Sequence, residues 1–431
     1  MVQTNAAGLV REIRKWGLVA LGINIVVGAG IFGLPSRVYS LSGSASLIAY
    51  AICAVATILI VLCFAEVGSR FTETGGPYLY ARKAFGPVVG FEVGWLRWLN
   101  GVLAIAANSN LFADYFGYVS PFLTTGNGRR IVIAGAILLL AGINIVGVRD
   151  TTIASNILVV GKLIPLVLFV ALGLFFLDPH RLAITSRPTY SGLSGSVLLL
   201  TFAFGGFESL GIPAGEARDP RRAVPFALLT TIGTITLLYV LIQAVCIGTV
   251  PDLGSSARPL ADASEVFIGA MGGSLISVAA MVSIAGNLNG QMLATTRAIF
   301  AMAEQKQLPG VLAAVNTRFR SPHVSILVST AVMLGFAMSG TFVQLLTMSV
   351  LTKLVFYGTT CAALPVLRRD PSAPAAAFQI PAGRFIATVS IAGCCWLLAN
   401  STSREAWITA IAGGAGLLIY LLHRGWATAE D

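Results

Sequence analysis

Three ionisable residues stand inside apolar stretches of this chain. Lys162 lies in Val160-Gly161-Lys162-Leu163-Ile164-Pro165, about nine residues into its segment. Glu208 directly follows Gly205-Gly206-Phe207, and Lys353 stands in Thr352-Lys353-Leu354-Val355-Phe356-Tyr357. A charge at membrane depth needs a partner or a function. Two of the apolar stretches are also interrupted by glycine. Gly17 to Pro35 is broken by Gly28-Ala29-Gly30, and Val197 to Pro213 by Gly205-Gly206. Such a break frees backbone N–H and C=O groups that lipid cannot satisfy. In transporters built from inverted repeats, groups of this kind bind substrate and coupling ion near the bilayer midplane. The candidate binding residues are therefore Val26, Gly28, Ala29, Gly30 and Ile31 at the first break, and Phe202, Phe204, Gly205 and Gly206 at the second. N–H groups opening a half-helix favour an anion such as a carboxylate. Unwound carbonyls can accept from an ammonium. The competing role for these glycines is close helix packing, and for the two phenylalanines plain core packing.

The elements that must carry these residues are membrane helices. Hydrophobic residues make up 56% of the chain and charged residues 11%, against roughly 25% charged in a soluble domain. About 20 apolar residues span a bilayer, and about a dozen such segments are visible. They cover 17–35, 44–69, 86–117, 130–147, 153–177, 195–214, 224–250, 264–303, 323–340, 343–367, 385–399 and 405–423. The loops between them are short, so residues 1–431 are expected to form one membrane domain.

The net charge of +10 is distributed unlike that of a nucleic-acid binder. Arg11, Arg14, Lys15, Arg70, Arg82, Lys83, Arg149, Arg218, Arg221, Arg222, Arg297, Lys306, Arg318, Arg320, Arg368, Arg369 and Arg384 fall on one side of the expected spans. The other side holds Arg37, Arg129, Arg130, Arg181, Arg187, Arg258 and Arg404. This asymmetry places the richer side, and with an even helix count both termini, in the cytoplasm of an inner or plasma membrane. Met1 to Trp16 is polar and basic, without the pattern of a cleavable signal peptide. The cysteines (Cys53, Cys63, Cys246, Cys361, Cys394 and Cys395) show no C-x-x-C and read as small buried hydrophobes. With His180, His323 and His423 far apart, no metal site, cofactor or hydrolytic triad is expected.

Four motifs carry a family resemblance. They are Gly28-Ala29-Gly30-Ile31-Phe32; Glu73-Thr74-Gly75-Gly76-Pro77-Tyr78-Leu79-Tyr80 with Ala84-Phe85-Gly86-Pro87; Phe202-Ala203-Phe204-Gly205-Gly206-Phe207-Glu208 running on to Gly215-Glu216-Ala217-Arg218-Asp219-Pro220; and Thr296-Arg297-Ala298-Ile299-Phe300-Ala301 with Leu308-Pro309. In order and spacing these resemble the amino acid–polyamine–organocation superfamily of permeases. The resemblance implies an all-α, leucine-transporter-like fold of about 12 helices, with helices one and six broken. It implies inverted repeats over about 17–177 and 195–367, with two appended helices over about 385–423. The implied function is secondary active transport of an amino acid, with a proton as partner. Exchange of one amino acid or amine for another, and sensing without transport, are the alternatives.

The resemblance also bears on single residues. Several proton-coupled members have a lysine at the position of Lys162, where sodium-coupled relatives of the fold bind sodium. Its ammonium is expected to bridge the first and eighth spans through carbonyls and to carry the coupling proton. A glutamate at the position of Glu208 is linked to proton sensing in an antiporter of the family; the alternative is a structural acceptor holding the broken helix. Phe202 matches an aromatic gate. For Lys353 the resemblance is silent: it can pair with Glu208, repel cationic substrates, or snorkel. If the two pair, the cavity is near neutral and takes neutral amino acids. Asn287 and Asn289 are expected to be interhelical partners, and Glu92, Arg97 and Asp114 to lie near the membrane interfaces.

Overall fold

The computed structural model describes residues 13–73, 75–117, 120–124, 126–146, 151–184, 187–319 and 321–430. Arg11, Arg149, Arg320, Thr74 and most of the basic opening segment lie outside the described residues. The chain is all-α, and each of the expected apolar segments falls on helix. The first is two helices, α1 (Lys15–Val26) and α2 (Gly30–Ser42). There follow α3 (Ser46–Gly68), a short α4 (Pro77–Phe85), α5 (Pro87–Phe116), α6 (Gly126–Val146) and α7 (Thr151–Gly173). The sixth segment is α8 (Tyr190–Ala203) continued by a 3₁₀ run, Phe207–Glu216. Then come α9 (Pro220–Thr249), α10 (Pro259–Ile268), α11 (Ala270–Glu304), α12 (His323–Ser339), α13 (Phe342–Arg369), α14 (Gly383–Ala399) and α15 (Ser403–Glu430). Among the described residues, eight helical stretches are long and apolar enough to cross a membrane.

Local chemistry sets many of the boundaries. Proline opens α4, α5, α9 and α10 at their first turn, where its missing N–H costs nothing. Thr189 caps α8 by accepting from Gly192 N–H at 3.1 Å. Thr341 and Gln344 form a reciprocal capping box on α13. Two boundaries differ from the expectation. Gly76-Pro77 starts a nine-residue amphipathic helix in what the apolar pattern leaves as a loop between the second and third segments. Gly269, at φ +71°, divides the eighth segment into α10 and α11.

Helix α5 packs against both α11 and α13. Helix α3 lies along α9, α6 along α12, and α1 and α2 against α9 and α8 respectively. Numbering the apolar segments one to ten, these contacts map onto one another when one to five exchange with six to ten. The α5–α13 contact exchanges with α11–α7, α1–α9 with α8–α3, and α5–α12 with α11–α6. Helices α6 and α15 carry exposed Ile131, Leu138, Leu139, Ile411, Leu418 and Leu421. Such a belt suits hydrocarbon rather than water.

Candidate functional site

Helix α1 stops at Val26 and α2 starts at Gly30, and Val27, at φ −72° and ψ +84°, turns the chain between them. The last four carbonyls of a helix have no partner within it. Here side chains supply one for each. Lys162 Nζ donates to Asn24 O at 2.7 Å and to Val27 O at 3.1 Å. Asn287 Nδ2 donates to Ile25 O at 3.3 Å, and Tyr239 OH to Val26 O at 3.2 Å. The ammonium thus sits at the negative end of the half-helix, where a cation is favoured. Both hydrogen bonds of Lys162 run to the first span. The bridge to the eighth span expected of it is made by Asn287. On the other side of the break, the N–H groups of Ala29, Gly30 and Ile31 have no acceptor among the described residues.

The second break is closed differently. Gly205 N–H donates to Phe202 O at 3.1 Å. Gly206 is left-handed, at φ +112°, a conformation that favours glycine. Glu208 Oε2 accepts from Gly206 N–H at 2.7 Å and from Tyr357 OH at 2.8 Å. The carbonyls of Ala203, Phe204 and Gly205 receive no donor among the described residues.

The two breaks face one cavity of about 350 Å³, a volume in the range of small-molecule sites. It is lined by Val26, Gly28, Ala29, Gly30, Phe202, Gly205, Gly206, Glu208 and Lys353. Three sequence candidates lie off it. The Ile31 side chain is fully buried, Phe204 packs edge-on against Tyr50 and Tyr239, and Lys162 stands behind α1. Lys353 and Glu208 form no ion pair within 4.0 Å among the described residues. The Lys353 ammonium instead lies 5.5 Å from the centre of the Phe202 ring.

Other lining residues were not singled out as ligands in the sequence. Arg97, placed near an interface by its sequence position, lines the cavity and donates to Ser209 Oγ at 2.7 Å. Its helix has simply carried it inward, because Gly86-Pro87 starts α5 two to three turns before it. Arg97, Gly101, Ala104 and Asn108 share one face of α5, and Asn287, Gln291 and Ala294 one face of α11. The signal was present as polar and small residues at helical spacing inside apolar segments. Asn287 also accepts from Asn108 at 3.2 Å, and Asn289 from Asn144 at 3.0 Å, so both tie helices together.

The glycines of the first break do unequal work. A Cβ on Gly28 would stand 2.7 Å from Asn287 Nδ2, whereas one on Gly30 would stand 2.8 Å from the Ala203 backbone. Gly30 thus lets α2 meet α8, the packing role, while Gly28 makes room for the asparagine that holds α1.

Residues 13–417 match the family described as Amino acid permease. The chain is 29% identical to a serine/threonine exchanger of Bacillus subtilis (strain 168), over 97% of this chain and 98% of that protein. It is 26% identical to a branched-chain amino acid permease of the same organism, over 96% and 93%. It is 28% identical to the large neutral amino acids transporter small subunit 2 of Mus musculus, over 86% of this chain and 73% of that one. The chain belongs to the amino acid permease family.

Proposed function

We propose, with that family membership as premise, that this protein is a secondary active amino acid transporter coupled to protons. The observation that carries the reading is the single cavity bounded by both helix breaks. Unpartnered N–H groups at Ala29, Gly30 and Ile31 suit an α-carboxylate at the positive end of α2. Unpartnered carbonyls at Ala203, Phe204 and Gly205 suit an α-ammonium. Phe202, at the cavity wall, suits a gate. Loading and release of a proton is assigned to Lys162, with Glu208 as the second titratable group. Protonation of either alters a cap on a broken helix, which gives the proton a mechanical handle on the site.

Alternating access about a fixed midplane site calls for two halves that rock against each other. The exchange of contacts between segments one to five and six to ten supports inverted repeats over about 17–177 and 195–367. The cavity lining lies at the breaks and towards the end where α1 begins and α11 finishes. With the basic end in the cytoplasm of an inner or plasma membrane, and both termini there, this is an inward-open arrangement.

The test is uptake by the reconstituted protein in vesicles. Concentrative uptake driven by an inward proton gradient into empty vesicles supports symport. Labelled substrate entering only against internal amino acid supports exchange, the second reading, which the printed name of the serine/threonine exchanger favours. Binding without any entry would overturn transport in favour of sensing. Neutral substrates are favoured by the printed names of the three relatives. Their fit requires the cavity cations to be matched within the protein.

A further inference from the structure

We infer that the substrate side chain carries a carboxylate, so that the cavity takes an acidic amino acid with Lys353 and Arg97 as its counter-ions. This rests on the reading of the cavity as an amino acid site. The charged residues lining the cavity are Arg97, Glu208 and Lys353, two cations against one anion. Gly206 N–H and Tyr357 OH both donate to one oxygen of that anion, and its charge, which attracts both cations, offsets one of them. Lys353 is 5% exposed and makes neither a hydrogen bond nor an ion pair among the described residues. Its ammonium lies over the face of Phe202 and against Gly205. Arg97 uses one nitrogen on Ser209, and its buried Nε has no partner.

Two cations elsewhere, Arg368 and Arg70, share a carboxylate, although Arg70 Nε also lacks a partner. Arg368 donates twice to Glu66 at 2.6 Å, and Arg70 lies 3.6 Å from the same carboxylate. Lys162 is held by two carbonyls. An uncompensated buried charge is costly, and one positive charge in excess at the cavity wall points to an anion that arrives with the ligand. The α-carboxylate is accommodated at the first break, which leaves the second-break cations for a carboxylate on the side chain. An arginine fork and an ammonium together suit its two oxygens. They also repel a cationic side chain.

The experiment is binding to the purified full chain in nanodiscs, read by calorimetry and thermal shift. The probes are L-glutamate, L-aspartate, L-glutamine, L-asparagine and L-arginine, in chloride and in gluconate. We expect each acid to bind on the order of tenfold to a hundredfold more tightly than its amide, the yield of charge-assisted hydrogen bonds. L-Arginine should bind more weakly than either. Lys353→Met and Arg97→Gln should bring the acid-to-amide ratio towards one. Amides bound as tightly as acids by the wild type would overturn the inference while leaving amino acid transport standing. So would an unchanged ratio in folded variants, or loss of the preference for acids in chloride, which would make the cations an inorganic anion site. Binding of no amino acid would overturn the transport reading itself. The wild-type comparison decides the matter even if neither variant folds.

Discussion

At the first helix break, the carbonyls of Asn24 to Val27 are met by side chains from α7, α9 and α11, whereas at the second the chain caps itself, Glu208 reaching back to Gly206 N–H. One break is held from outside by three neighbours and the other from within by an ionisable acid. The first therefore moves only when α7, α9 or α11 moves, and its free N–H groups stay aimed at the cavity. The second depends on the charge of one carboxylate and on one glycine at φ +112°. The charges that line the cavity gather on its side, and the backbone donors on the other.

Breaking the outer cap should have the largest effect. Lys162→Ala takes the ammonium away from Asn24 O and Val27 O, and the loss at the Val27 carbonyl alone costs about 1–3 kcal/mol. A markedly lower melting temperature and loss of proton-driven uptake are expected, with exchange retained. A wild-type pH profile for concentrative uptake would restrict Lys162 to holding α1.

The inner cap is next. Gly206→Ala forces a side chain into a left-handed conformation, at about 1–3 kcal/mol, and sets its Cβ 3.0 Å from Ile25 Cγ2. Thermal unfolding should register the loss, and an unchanged melting temperature would show that the second break relaxes freely.

The two glycines of the first break separate packing from binding. Gly30→Ala presses on the α8 backbone and should destabilise by about 1–3 kcal/mol, as overpacking does. Gly28→Ala displaces the Asn287 side chain and should weaken substrate binding more than it lowers stability. Calorimetry beside thermal unfolding distinguishes them; equal losses in both readouts for both variants would remove the distinction.

Two tyrosine variants compare the caps directly, and Tyr239→Phe has the smallest effect of all. Tyr239→Phe removes one neutral hydrogen bond, worth about 1 kcal/mol, and Tyr357→Phe one to a carboxylate, worth about 1.5–3 kcal/mol. Tyr357→Phe alone should also change the pH profile of uptake. A pH shift from Tyr239→Phe as well would mean that the two caps titrate together.

Much of this was legible in the residues themselves. Glycine and proline mark where lipid-embedded backbone must bend, since no other residue types tolerate the conformations or the missing donors. Both breaks, Lys162, Glu208 and Lys353 could be named on that ground, and so could the helical spans, from apolar length alone. Arg97 was missed because distance from a helix start says little about depth when the start itself is unknown. The nine residues of α4 were missed because a short amphipathic helix has little periodicity to display.

The sequence by itself determined that this chain would be a bundle of membrane helices with two breaks and three costly charges, because hydrophobic length and backbone hydrogen bonding are local properties. Which charge meets which group was decided by tertiary structure. Lys162 and α1 are more than a hundred residues apart, as are Glu208 and Tyr357. Lys353 is left over Phe202 rather than on Glu208 because α13 packs against α8, which carries Phe202, whereas Glu208 stands past the break on the 3₁₀ run. A few ångströms there separate an ion pair from an open cation, and no one-dimensional pattern encodes a few ångströms between distant helices.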